Sequence, residues 1–344
     1  MKNIQPVQMI GTQRSGTNLF RVMLNQLDAI AAPHPPHILQ RFMPLLNNYG
    51  SLADMANFKE LVNDVCLLVN YNPVEWDGLK LKPDDVIRNC QSNSLEAIFY
   101  AIYNLYAKAH KAQLWICKSM ANVNFVGLLE NTTTKPLYIY LHRDGRDVAC
   151  SFKKALVGEK HIYHLAKKWK EDQLKCIELT KQMPAERVLQ VSYENLIQNT
   201  QYEMERVCRF LKVSYKTDIF NFHQSDESKS TASAGEMWSN LSKPVMNNNY
   251  NKYRQQLNSD EIQLFEHIAG SVLSELGYQL DYPQNNTLLN AVQIAAFDEE
   301  NRQMKQIAQS SMDPDGQKKR HQQNELLKHL KAKDLRKIQC KAVS

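Results

Sequence analysis

No run of about 18 apolar residues occurs in this sequence, so no membrane-spanning helix is expected. C-x-x-C pairs are missing too. The seven cysteines (Cys66, Cys90, Cys117, Cys150, Cys176, Cys208 and Cys340) are scattered and odd in number. That spacing argues against a zinc site or a disulfide framework and for free, mostly buried thiols in a reducing compartment. The opening residues, Met1-Lys2-Asn3-Ile4-Gln5-Pro6, lack the apolar core of a signal peptide, so a cytoplasmic location is expected. No internal repeat is evident. With 43% hydrophobic and 23% charged residues, the chain falls among ordinary globular proteins rather than disordered ones. Its 344 residues suffice for one large α/β domain and an appendage.

A uniform excess of positive charge is also lacking, although the net charge is +6. Residues 317–344 hold nine of the 42 Lys and Arg residues against only Glu325 and Asp334. The rest of the chain is nearly balanced, and no nucleic-acid partner is expected from it.

What is present starts at Val7-Gln8-Met9-Ile10-Gly11-Thr12-Gln13-Arg14-Ser15-Gly16-Thr17-Asn18. A short apolar run feeds a polar, glycine-containing loop, and Leu19-Phe20-Arg21-Val22-Met23-Leu24 then continues as a helix. Strand, tight loop and helix start present backbone N–H groups and a positive dipole end to an anion. A Walker A loop, G-x-x-x-x-G-K-[ST], would need Lys at 17 and Ser or Thr at 18, where this chain has Thr17 and Asn18. Its cation comes earlier, as Arg14. The loop suits a phosphate-like group rather than the γ-phosphate and Mg²⁺ of a nucleoside triphosphate.

Further on, Ala31-Ala32-Pro33-His34-Pro35-Pro36-His37 breaks regular structure, and helical spacing resumes over 38–46, 52–68 and 94–111. Strands are expected at 114–117, 137–142 and 188–192, with a helix over 202–211. Short apolar strands separated by helices indicate an α/β fold with a parallel sheet covered on both faces. Pro283-Gln284-Asn285-Asn286 reads as a boundary between a body over 1–282 and a basic helical extension over 283–344. A helix over 288–307, a turn at Asp313-Pro314-Asp315-Gly316 and a second amphipathic helix marked by Leu326, Leu327, Leu330, Leu335 and Ile338 make up that extension. It could serve as a docking arm, a homodimer element, a peripheral contact with an anionic surface, or a solvated cap on the domain.

The second diagnostic segment follows the 137–142 strand: His142-Arg143-Asp144-Gly145-Arg146-Asp147, with Ser151 eight residues after the first arginine. A strand-end arginine and a hydroxyl one or two turns into the next helix can meet on one phosphate. Alone, the segment would equally suit a salt-bridged surface turn. Together, the two segments resemble the sulfotransferases that use 3′-phosphoadenosine 5′-phosphosulfate (PAPS). That family pairs x-x-[RK]-S-G-T-[ST]-x-[LM] with R-D-x-R-D-x-x-x-S. Here Gln13-Arg14-Ser15-Gly16-Thr17-Asn18-Leu19 and Arg143-Asp144-Gly145-Arg146-Asp147 with Ser151 match, Asn18 replacing a hydroxyl residue and Gly145 a frequent proline. The resemblance continues through Trp115-Ile116-Cys117-Lys118-Ser119, Val191-Ser192-Tyr193-Glu194-Asn195-Leu196, and Asn251-Lys252-Tyr253-Arg254 to Leu276-Gly277-Tyr278. The loop is most similar to the tyrosylprotein and carbohydrate branch.

The resemblance implies transfer of the PAPS sulfuryl group to a hydroxyl acceptor by in-line displacement, without a metal. Ser15, Gly16, Thr17 and Asn18 would hold the 5′-phosphosulfate, and Arg14 would neutralise charge on the bridging oxygen. Arg143 and Ser151 would hold the 3′-phosphate, with Lys252 and Arg254 at the nucleotide lid. The family places a His or Glu base about twenty residues past the loop arginine. His34 stands there, and His37 follows three residues on; which of the two is the base stays open. Lys118 would touch the sulfuryl oxygens or the acceptor, and Glu194 is expected to anchor structure. The acceptor would be a saccharide, a lipid-linked compound or another small hydroxyl compound. A nucleotide kinase and a non-catalytic nucleotide-binding scaffold are the rival readings.

Overall fold

The computed structural model describes residues 4–156, 158–233, 236–283, 288–310 and 320–332. Five parallel strands form one sheet in the order β2-β3-β1-β4-β5: β1 is Gln5–Gly11, β2 Ile30–Ala31, β3 Leu114–Cys117, β4 Leu137–His142 and β5 Val188–Ser192. β3, β4 and β5 coincide with the expected runs. β2 has only two residues, too few for a period to announce it. The first strand is central, with β3 on one side (Val7 opposite Ile116) and β4 on the other (Met9 opposite Ile139). The chain winds away from β1 in both directions, which opens a crevice beyond the carboxyl ends of the strands.

Alternation along the strands divides the core between two faces. Leu114, Ile116, Ile139 and Leu141 point to a cluster under the helix Thr17–Leu24 (α1) and the helix Thr200–Leu211. Trp115 and Cys117 point the other way, into a cluster built on the helices Met55–Asn70 and Leu95–Ala109. Tyr138 and Tyr140 join a third cluster with Trp169 and Phe265, from the helices Ile162–Gln182 and Ser259–Glu275. The segment after His37 is helical only over Ile38–Phe42 and becomes a 3-10 helix over Met43–Tyr49. Pro44 explains the change, because it lacks the N–H that an α-helix would use there.

The chain beyond residue 283 packs back on this body. The helix Ala291–Ser310 seats Asn301 against the helix Ile162–Gln182, where its Oδ1 accepts from the backbone N–H of Lys160 at 2.8 Å and of His161 at 3.0 Å. A second helical stretch, 320–332, buries Leu330 in the first cluster, and Gln323 donates to the Leu68 carbonyl at 3.1 Å. The expected turn at 313–316 lies outside the described residues, as do Leu335, Ile338, Cys340 and most of the basic residues of the tail.

Gly145, which stands where the resembling pattern often has proline, is required by packing. A Cβ there would lie 2.6 Å from both Trp169 and Phe265, two aromatic rings of the third cluster. Gly145→Ala is therefore expected to destabilise the fold by about 1–3 kcal/mol through overpacking, read as a lowered Tm. An unchanged Tm would mean that the two rings are free to move aside.

Candidate active site

Every strand delivers at least one cavity-lining residue at its carboxyl end: Arg14 after β1, His34 and His37 after β2, Lys118 after β3, Arg143 after β4 and Tyr193 after β5. They surround a cavity of about 470 Å³. Its floor is the turn into α1. Arg14 (φ 70°) and Gly16 (φ 78°) both adopt left-handed backbone, which folds the loop tightly against the helix start. At Gly16 the requirement is absolute, because a Cβ would sit 2.2 Å from the Tyr193 ring. No side chain caps α1 and no acidic residue occupies its first turn. The N-terminal amides and the positive dipole end thus face the cavity without an internal anion.

Two direct hydrogen bonds join the segments that the sequence holds far apart. Arg14 Nε donates to Ser151 Oγ at 2.9 Å, and Arg143 Nη1 donates to the Arg14 carbonyl at 3.3 Å. Arg143 Nη2 donates to the Asn249 carbonyl at 2.9 Å and to Asp147 Oδ2 at 3.3 Å. Its guanidinium also stacks on Tyr193, 4.4 Å from the ring centre. Arg143 Nε is nonetheless buried with no partner among the described residues, and so is the hydroxyl of Ser15 at the start of α1. Buried polar groups are normally paired, so these two mark where a ligand's oxygens belong. Burial and the neighbouring Arg143 lower the Arg14 pKa from its ordinary value, and the group stays protonated.

Arg146, which looks equivalent to Arg143 in the sequence, does a different job. It is buried between Asp144 and Glu266, donates to the Gln279 carbonyl at 2.9 Å and lies over Tyr253. Every charge in that group is paired, so it is structural. Glu194 is the expected anchor. It accepts from the Asp144 N–H, the Ser192 hydroxyl and the Tyr278 hydroxyl, each at 3.0 Å, tying the ends of β4 and β5 together.

On the opposite wall, Lys118 Nζ donates to Asn18 Oδ1 at 3.0 Å. Burial, with Arg21 and Arg14 adding to it, lowers its pKa to about 7. His34 is clamped by Asn72, whose Nδ2 donates to the carbonyls of Val74 (2.9 Å) and His34 (3.1 Å) and faces His34 Nδ1 at 3.1 Å. The two carbonyls identify that amide nitrogen as the donor. That nitrogen cannot accept, and its two hydrogens are shared among the three neighbours, so His34 Nδ1 carries no proton and the neutral ring is protonated on Nε2. His37, in left-handed backbone at φ 58°, has a buried Nδ1 with no partner among the described residues. Burial, then Lys118 and Arg41, lowers its pKa to about 3, and His34 is pushed well below the usual imidazole value by burial and by Arg21, Lys118 and His37. Both rings are neutral near pH 7.

The cavity brings together Arg14, Gly16, Thr17, Asn18, His34, His37, Lys118, Arg143, Ser151 and Lys252. Ser15 lies buried directly beneath, between Arg14 and Gly16. Arg254 does not join them: it lies on the surface, paired with Asp281 at 2.5 Å. Sequence reasoning missed Arg41, Lys154, Trp238, Asn249 and Arg320, which also line the cavity. None belongs to a motif, and no spacing signal could have found them.

Comparison with known proteins agrees with this architecture. Residues 6–217 match the model described as Sulfotransferase family, and the chain belongs to that family. Among solved structures it is similar to the sulfotransferase domain from the curacin biosynthetic pathway, at 17% identity and a TM-score of 0.52, covering 81% of this chain and all of that one. It is also similar to the sulfotransferase domain of the Synechococcus PCC 7002 olefin synthase, at 21% identity and a TM-score of 0.49, covering 77% of this chain and 95% of that one. No curated protein matches.

Proposed function

We propose that this transferase moves the sulfuryl group of PAPS to a hydroxyl acceptor. One observation carries the reading. The loops bearing Arg14 and Arg143 are bonded to each other at an uncapped helix N-terminus, with the Ser15 hydroxyl and Arg143 Nε buried and unpartnered. Such a site fits a nucleotide with anionic groups on both its 5′ and 3′ sides. PAPS supplies an activated sulfuryl group whose bond to the phosphate oxygen breaks as the acceptor oxygen attacks. The amides of residues 15–18 and the Ser15 hydroxyl bind the phosphosulfate, and Arg14 neutralises the oxygen that departs. Arg143 and Ser151 hold the 3′-phosphate, and Lys252 lies at the same end.

The acceptor's proton needs a base with a free lone pair. His34 donates through Nε2 because Asn72 occupies Nδ1, so it suits orientation of the acceptor oxygen. His37 is neutral and has an uncommitted nitrogen, so it is favoured over His34 to take the proton, and the anionic ligand must raise its pKa from about 3 for it to act near pH 7. His37→Gln is expected to lower kcat about 10²–10⁴-fold with the affinity for adenosine 3′,5′-bisphosphate (PAP) unchanged. A greater loss from His34→Gln would return the role of base to His34.

Lys118 gives a pH test. Bound phosphosulfate restores its charge, so above its free-state value of about 7 binding must take up a proton. PAPS affinity is expected to fall by up to about tenfold per pH unit from about pH 7 to about pH 9. The phosphates, with a second pKa near 6, remain ionised across that window. Lys118→Met should flatten the curve. A flat wild-type curve would remove Lys118 from the ligand.

Calorimetry tests the whole reading. Tight PAP binding without Mg²⁺ supports it, and preference for MgATP overturns it. Transfer of ³⁵S from labelled PAPS into a cell extract, followed by isolation of the labelled product, then identifies the acceptor.

A further inference from the structure

The cavity has more positive charge than a nucleotide needs. Arg14, Arg143, Lys154 and Lys252 line the end assigned to PAPS, and the single carboxylate among the described lining residues, Asp147, is held by Arg143 and by the Tyr253 N–H at 2.9 Å. Arg41 and Arg320 remain on the acceptor wall. Arg41 lies one helical turn past His37, its backbone N–H donating to the His37 carbonyl at 3.1 Å. Its Nη1 is buried with no hydrogen-bond partner, and its side chain makes no ion pair among the described residues.

Arg320 reaches the same wall from the far end of the chain. It lies over Trp238, 5.2 Å from the ring centre, and Trp238 meets the His34 ring edge-on at 5.5 Å. Gln323 and Leu330 fasten that helical stretch to the helix Met55–Asn70 and its cluster. Burial and then the charge of Arg320 lower Arg41 to about 10, and burial lowers Arg320 as well. Two like charges facing one cavity without a counter-ion among the described residues are unfavourable in the free protein and become favourable once an oxyanion bridges them.

We propose that Arg41 and Arg320 form an oxyanion subsite for the acceptor, so that the substrate is a hydroxyl compound that also carries a phosphate, sulfate or carboxylate group. The inference rests on the sulfotransfer reading above. The C-terminal stretch then supplies part of the acceptor site instead of merely covering the domain.

The test has a binding arm and a turnover arm. Full-length protein saturated with PAP is titrated with pyrophosphate as a probe. Binding is expected, with Arg41→Gln and Arg320→Gln each weakening it at least tenfold while PAP affinity stays within twofold. Arg320→Lys, which keeps the charge, should retain most of it. With labelled PAPS, glucose 6-phosphate should be preferred over glucose, and galacturonic acid over galactose, by at least tenfold in kcat/KM. The two Gln variants should abolish that preference. No pyrophosphate binding, equal use of charged and neutral acceptors, or an equal loss of PAP affinity in the variants would overturn the proposal. If PAP itself does not bind, the sulfotransfer reading fails separately. Pyrophosphate binding to the PAP-free protein that survives Arg143→Gln but not Arg41→Gln would still uphold the subsite.

Discussion

Arg14→Ala is expected to lower kcat for sulfuryl transfer about 10²–10³-fold, a loss of ~3–4 kcal/mol, while the affinity for PAPS changes much less. The asymmetry follows from where charge appears. In PAPS the bridging oxygen is still bonded to sulfur and carries no full charge, and the amides of α1 and Arg143 bind that ground state. The charge that grows on the bridging oxygen exists only as the S–O bond breaks, so a group that neutralises it acts on kcat. Arg14 is fixed for that task by its Nε bond to Ser151 and by the Arg143 contact on its carbonyl. The left-handed backbone at Arg14 calls for a control, because alanine adopts it less readily than glycine. Arg14→Gly keeps that conformation accessible and should lose as much activity. If Arg14→Gly retained wild-type turnover, the arginine would be serving the loop and not the reaction.

Much of the sheet was legible in the residues. Leu114–Cys117, Leu137–His142 and Val188–Ser192 are short apolar runs in a buried parallel sheet, where both faces need apolar side chains and nothing else explains the run. Ile30–Ala31 was not legible, because two residues carry no period. The phosphate-binding half of the site was legible for a similar reason. A loop that must bend through left-handed backbone, offer amides and approach an anion closely constrains its residue types within a few positions. Local constraint of that kind leaves a motif.

The acceptor half had no such constraint. Arg41, Trp238 and Arg320 come from three distant parts of the chain, and only folding sets them on one wall. Arg143 and Arg146 show the same limit at short range. They stand three residues apart in one motif, yet Arg146 turns inward to Asp144 and Glu266, whereas Arg143 turns to the cavity. The helix Gly145–Lys154 starts between them, and the partner that decides Arg146's role, Glu266, lies 120 residues away. His34 and His37 divide likewise. Asn72, not the spacing from Arg14, determines which nitrogen of His34 accepts.

Arg143→Gln should weaken PAP binding by about 10²–10³-fold, on the scale of ~3–4 kcal/mol for losing one partner of a desolvated charge pair. Adenosine 5′-phosphate, which lacks the 3′-phosphate, is expected to bind the variant and the wild type nearly equally. The comparison is needed because Arg143 also holds its neighbours. Its loss leaves the buried Asp147 carboxylate without its cation and frees the Asn249 carbonyl and the Tyr193 ring. A falling Tm is therefore expected as well, since removing one member of a buried pair is destabilising. General loosening of the site would weaken both nucleotides together. Loss of a 3′-phosphate contact weakens PAP alone and collapses the preference for PAP over adenosine 5′-phosphate. Equal weakening of both ligands would make Arg143 a support for the Arg14 loop, and the 3′-phosphate would then have to be assigned to Lys154 and Lys252 at the same end of the cavity.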